Sequence, residues 1–242
     1  MGLGMRLTVL TLFREFVERY FDTSIMGRAV ERGLVVPEIV DIREFAHDRH
    51  RTVDDAPYGG GSGMVLMPGP LSEALDSVDG AKRRVVYATP SGRPMTQTYA
   101  RELAGEDSIV FISGRYEGID QRVIDAYVDD EISIGDYVIA SGELAVMVII
   151  DAVFRLREGV ITRGSLEEES FENGLLEYPH YTRPEAYRGM SVPEILLSGH
   201  HEKIRLWRRE RQIEKTRSVR PDLLTETKER RGGKNDGPDK GD

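Results

Sequence analysis

The chain alternates between unbroken apolar runs and segments in which apolar positions recur at helical spacing. Leu7 to Leu12, Val35 to Ile42, Arg84 to Ala88, Ser108 to Ile112 and Ala145 to Ile150 are rich in Val, Ile and Leu with little polar interruption. This is the pattern of strands buried on both faces of a parallel sheet, and we expect all five to be such strands. Arg14 to Tyr20 has helical spacing instead, so the stretch from Met5 to about Ile161 predicts α/β layers. From Thr162 to Asn173 the sequence TRGSLEEESFEN is polar and acidic, which reads as a linker. Helical periodicity returns at Pro193, breaks at Ser198 and Gly199, and resumes through Ile204, Leu206, Trp207 and Ile213. The expected organisation is an α/β domain over 1–161, a linker over 162–176 and a small helical domain over 177–242. Its last twelve residues, RGGKNDGPDKGD, cannot bury apolar surface and are expected to stay unfolded.

Three glycine-bearing loops follow or adjoin these runs: ATPSGR at 88–93, SGRYEG at 113–118 and SIGDYVIASG at 133–142. They hold few reactive side chains, but glycine lets a ligand approach the main chain closely, so together they can cradle a planar polar ligand with backbone N–H and C=O groups. A further run, GGGSG at 59–63, matches neither a dinucleotide-binding GxGxxG after a strand nor a GxxxxGK phosphate loop. It reads as a flexible loop able to lie against an RNA backbone or a splayed base. His47, Asp48, Arg49, His50, Arg51, Asp54 and Asp55 precede it without the spacing of a zinc site, and no zinc is expected.

Composition sharpens this only locally. The 242 residues are 39% hydrophobic, enough for a packed core, and carry a net charge of -9. Such a balance excludes a uniformly basic RNA-coating surface, yet between His200 and Arg231 eleven Lys and Arg face six Asp and Glu, the sign needed for phosphate contact. With no cysteine there is no disulfide framework, thiolate metal site or cysteine nucleophile. Neither a secretory h-region nor a membrane-spanning run is present, making the cytoplasm the expected compartment.

Five blocks, HDRHRTVDDAPYGGGSGM at 47–64, SGRYEGIDQRV at 113–123, SIGDYV at 133–138, GLLEYPHYTRPEAY at 174–187 and LLSGHHEKIRLWR at 196–208, stand in an order that resembles the bacterial tRNA (guanine-N1)-methyltransferases. The resemblance runs from about Met5 to about Leu224, and it implies a trefoil-knotted, parallel-sheet methyltransferase domain followed by a small helical tRNA-binding domain. Periodicity cannot reveal a knot, and this one comes from the resemblance alone. It implies that S-adenosylmethionine is held by Tyr87, Ala88, Thr89 and Pro90, by Gly114, Tyr116, Glu117 and Gly118, and by Ser133, Ile134, Gly135, Tyr137, Val138, Ile139, Ser141 and Gly142. Where the family commonly has two glycines, this chain has Ser141 and Gly142.

The implied reaction methylates N1 of the guanine at tRNA position 37, immediately 3′ of the anticodon, which keeps the reading frame. It needs a base for the N1 proton and a cation near O6. The resemblance gives these roles to Glu169, which precedes Ser170 and Phe171 where the family more often has Asp, and to Arg155. It places Gly59 and Gly60 near the target guanosine and links a magnesium ion to Glu117. From the sequence, His180 and Arg183 are expected beside the flipped base. It also implies a homodimer in which the linker of one subunit completes the active site of the other. Three other readings stand beside it: a knotted methyltransferase acting on another RNA position or base, against which the 174–187 and 47–51 blocks argue; an RNA-binding protein that has lost catalysis; and a nucleotide-sensing regulator that binds donor without RNA.

Overall fold

The computed structural model describes residues 4–162, 170–171 and 174–224. The chain divides into two compact units, Met1–Ile161 and Thr162–Asp242. In the first, β1 (Met5–Thr11), β2 (Val35–Asp41), β5 (Arg84–Pro94), β6 (Ser108–Ser113) and β7 (Asp130–Ser133) form one sheet in the order β2-β1-β6-β5-β7, with every adjacent pair parallel. Short strands β3 (Asp54–Asp55) and β4 (Val65–Leu66) pair separately. The helices of this unit are α1 (Arg14–Phe21), α2 (Ser24–Glu31), α3 (Pro68–Ser77), α4 (Gln97–Ala104), α5 (Gln121–Tyr127) and α6 (Gly142–Phe154).

Alternation along the strands explains the layering. Val9, Val86, Phe111 and Ile132 belong to the core shared with α1, α2, α4 and α6, whereas Leu10, Val85, Val110 and Ile112 belong to the core shared with α3 and α5. Because successive side chains point to opposite faces, a strand covered on both sides must be apolar throughout.

Two sequence expectations need correction. The run Ala145 to Ile150 is not a strand but the middle of α6. The helix buries Ala145, Val146, Met147, Ile149, Ile150, Val153 and Phe154, and its outward stripe carries Leu144 and Val148, each about half exposed. An apolar outward stripe erases the 3.6-residue contrast that would have marked a helix. The segment 88–93, expected to be a simple loop, is an excursion within β5: Ala88 and Arg93 both pair with Ile132, so the intervening residues bulge out of the sheet.

The second unit contains a hairpin of β8 (Ala186–Tyr187) and β9 (Met190–Ser191), a short α7 (Glu194–Leu197) and the long α8 (His201–Val219). Pro193 caps α7, and Ser198 follows it, as the sequence pattern indicated. The Leu176 N–H donates to Thr216 Oγ1 at 2.9 Å, fastening the end of the expected linker to α8. Most of the expected linker, including Glu169, and the expected unfolded tail lie outside the described residues.

Candidate active site

The three loops converge where β5, β6 and β7 reach their carboxyl ends, the position at which open parallel sheets bind ligands. They enclose a cavity of about 230 Å³. Its lining takes residues 87–90 from β5 and its bulge, 114–118 from the turn after β6, and 132–135 with Tyr137, Val138 and Ile139 after β7. Gly142 and Ala145 of α6 complete it.

Close approach of main chains explains the glycines. A Cβ on Gly142 would overlap the carbonyl oxygen of Gly114, so the start of α6 can cross the second loop only at glycine. A Cβ on Gly114 would stand 2.7 Å from Cε2 of Tyr87, packing the first loop against the second. Gly118 and Gly135 have φ of +129° and +148°, backbone that other residues adopt with strain. Burial pushes the Tyr87 phenol above its ordinary value. The third loop is apolar and open, with Val138 84% and Tyr137 57% exposed. Backbone polar groups, glycine clearances and an apolar rim suit a small ligand held largely by main-chain contacts.

Among the residues expected at this site, Ser141 stands apart. It does not line the cavity; its hydroxyl donates to Glu143 Oε2 at 2.7 Å, and its φ of −136° suits any residue. Arg155 ends α6, which spans 13 residues, so it stands about 20 Å along the helix axis from Gly142, beyond reach of the same chain's cavity. Gly59 and Gly60 have φ of +87° and +82° with open space around them. The same run meets the cavity-lining Glu117 through Gly63, whose missing Cβ leaves room for the Glu117 side chain, while the Glu117 N–H donates to the Met64 carbonyl at 2.9 Å. In the second unit His180 Nε2 lies 2.8 Å from Glu177 Oε1 with its ring 4.8 Å from Tyr178, and Arg183 is exposed. Arg115, Ile132 and Ala145 also line the cavity. Arg115 sits inside the SGRYEG motif, which drew attention for its glycines rather than for its one guanidinium.

A family model described as tRNA (Guanine-1)-methyltransferase TrmD matches residues 5–226. The chain belongs to this family. Proteins named tRNA (guanine-N(1)-)-methyltransferase resemble it along nearly their whole length. That of Treponema denticola is 60% identical over 220 residues, covering 91% of this chain and 90% of the relative. That of Borrelia duttonii is 52% identical over 238 residues, covering 98% and 99%. As a family member the chain is an α/β methyltransferase with a parallel central sheet. Among the described residues no helix is long and apolar enough to cross a membrane.

Proposed function

We propose that this chain transfers the methyl group of S-adenosylmethionine to N1 of the guanine at tRNA position 37, immediately 3′ of the anticodon, and so helps to keep the reading frame. The observation that carries the reading is a glycine-walled cavity at the carboxyl ends of three parallel strands, in a chain 60% identical to a protein named for this reaction. The first and second loops and the 133–142 loop would hold the donor. Bound there, S-adenosylmethionine would supply an electrophilic methyl carbon on a sulfonium.

The chain's own contribution is a proton acceptor and a cation. As the N1–methyl bond forms and the methyl–sulfur bond breaks, its electron pair returning to sulfur to leave a neutral thioether, Glu169 would take the N1 proton, and Arg155 would offset the charge gathering on O6. Because Arg155 stands about 15 Å along α6 from Ala145, the nearer of the two helix residues lining its own chain's cavity, it would serve the site of a second copy, together with the linker that follows it. The half-exposed Leu144 and Val148 of α6, with Phe13 and Phe16 beside the end of β1, offer the apolar surface that such a homodimer would cover. The crossing of Gly142 over Gly114 is the kind of close main-chain passage that a trefoil knot requires, and the knot is part of this reading. Glu117 offers one carboxylate at the cavity, enough for a magnesium ion that keeps most of its waters.

The helical unit would grip tRNA. In it the Arg208 guanidinium lies 4.6 Å from the centre of the Tyr178 ring, and Tyr181 sits beside Trp207 at 6.4 Å, groups suited to phosphates and unstacked bases. The cytoplasm, where tRNA is decoded, would be the place of work.

The test is transfer of labelled methyl from S-adenosylmethionine to a tRNA transcript with guanosine at position 37. Wild type should turn over, and Glu169→Gln should lose about 100-fold or more in rate with donor affinity unchanged. A wild type that binds tRNA without turnover would instead mark an RNA-binding protein, and an active Gln variant would remove Glu169 from the base role.

A further inference from the structure

One carboxylate in this unit is completely buried and plays no part in the chemistry above. Glu143, in the first turn of α6, is 0% exposed and does not line the cavity. Its Oε1 accepts from Thr11 Oγ1 at 2.9 Å; its Oε2 accepts from Ser141 Oγ at 2.7 Å and lies 3.1 Å from the Arg115 guanidinium. Arg115 in turn donates from Nη1 to the Ala140 carbonyl at 3.2 Å and stacks 4.0 Å from the centre of the Phe13 ring. The Phe13 N–H closes the arrangement by donating to Thr11 Oγ1 at 3.0 Å. Three chain segments far apart in sequence, the end of β1, the turn after β6 and the entry to α6, thus meet at a single carboxylate.

We propose that Glu143 is a positioning residue for the methyl-donor cavity, fixing its Gly114–Arg115 wall and, through Ser141, the adjoining Gly142 against the end of β1. The proposal rests on the donor reading above. Its partner Arg115 and its chain neighbour Gly142 both line the cavity, whereas Glu143 and Thr11 stand behind it. A buried charge is a poor way to gain stability, because an apolar side chain of similar volume often does as well. What a carboxylate supplies is direction: two oxygens and four acceptor positions that set the distance between segments sharing no backbone ladder at this point. The α6 amino terminus favours the negative charge in the same place. The arrangement also accounts for Ser141, whose hydroxyl adds a bond that a glycine could not make.

The experiment measures S-adenosylmethionine binding by calorimetry and steady-state methyl transfer at saturating tRNA, on the full chain, for wild type, Glu143→Gln and Ser141→Ala. Glu143→Gln keeps shape and loses charge; its donor Kd should rise about tenfold, the scale of one charge-assisted hydrogen bond, with kcat at saturating donor within about twofold of wild type. Ser141→Ala should move Kd about threefold in the same direction, again with kcat preserved. An unchanged Kd with a lowered melting temperature would reduce Glu143 to a stabilising residue, and a lowered kcat at unchanged Kd would make it part of the chemistry; either overturns the proposal. Should Glu143→Gln not fold, Ser141→Ala decides by the same criterion. Wild type that fails to bind the donor would sink the donor reading itself, whereas wild-type binding matched by both variants would sink only the positioning role.

Discussion

Where β7 begins, the sheet is tied by side chains; where β5, β6 and β7 end, it is shaped by their absence. Arg84 reaches Asp130 at 2.7 Å, Glu102 at 2.6 Å and Glu106 at 3.1 Å, and Arg93 adds a 2.6 Å bond to Asp130 while stacking on Tyr99. At the carboxyl ends, Gly114, Gly118, Gly135 and Gly142 leave main chain against main chain or against Tyr87 and Tyr137, and a single buried acid lies behind them. The first arrangement can lose a group and relax, because long side chains find other partners. Backbone pressed against backbone has nothing to move aside, so the binding end should be the more sensitive to an added methyl group.

The sharpest way to break this contrast is Gly142→Ala. Its new Cβ meets the Gly114 carbonyl, and we expect about 3 kcal/mol or more of lost stability together with loss of donor binding, read by thermal unfolding and calorimetry. If the variant melts and binds like wild type, the contrast is wrong. At the other end, Arg84→Met should cost about 1–3 kcal/mol in denaturant unfolding and leave donor Kd unchanged.

Acid titration separates the two ends more finely. Burial pushes the Asp130 carboxyl up, but the hydrogen bonds and charges of Arg84 and Arg93 outweigh it and hold the group below the ordinary carboxylate value. Its contribution is therefore present above the unfolded value of about 3.9 and is lost as pH falls through that value toward the folded one. Wild type should lose stability more steeply than Asp130→Asn below about pH 4, as followed by unfolding midpoints across a pH series. The smallest effect belongs to Gly60→Ala, which meets open space and carries only the strain of positive φ, about 1 kcal/mol. Donor Kd should not change, and a rise in KM for tRNA would bring the glycine run into the substrate path.

Most of this architecture was legible in the order of apolar runs. β1, β5 and β6 announce themselves because burial on both faces leaves little polar alternation to misread, β2 reads as a strand from its Val and Ile although only Val35 is buried, and the Pro193 and Ser198 punctuation marks α7 and the start of α8. α6 was not legible because Leu144 and Val148 make its outer stripe as apolar as its inner one. β7 escaped notice because Asp130 and Glu131 begin a strand of only four residues, an acidic start that a half-buried edge tolerates once Arg84 and Arg93 face Asp130. The cavity loops could be found from their glycines, since the positions of close approach are written in residue type. Glu143 could not, because one acid before an apolar run looks the same whether it faces solvent or three partners, one of which, Thr11, stands 132 residues away.

The sheet order carries a consequence for how the molecule comes into being. β6 is the central strand, joining β1 on one side to β5 on the other, and Arg6 meets its partner Ser108 across about a hundred residues of chain. A ribosome that has released β1, β2 and β5 has made two fragments of sheet with no strand to join them. Parallel pairings over such separations form slowly, since loop closure must precede any gain from contact. Two of the three cavity loops, and Gly142 with Ala145, lie beyond β6 in the chain, so the nascent protein should acquire affinity for a small ligand only after α6 has emerged. A ligand that binds the finished cavity would then draw the last step of folding forward rather than guide the first.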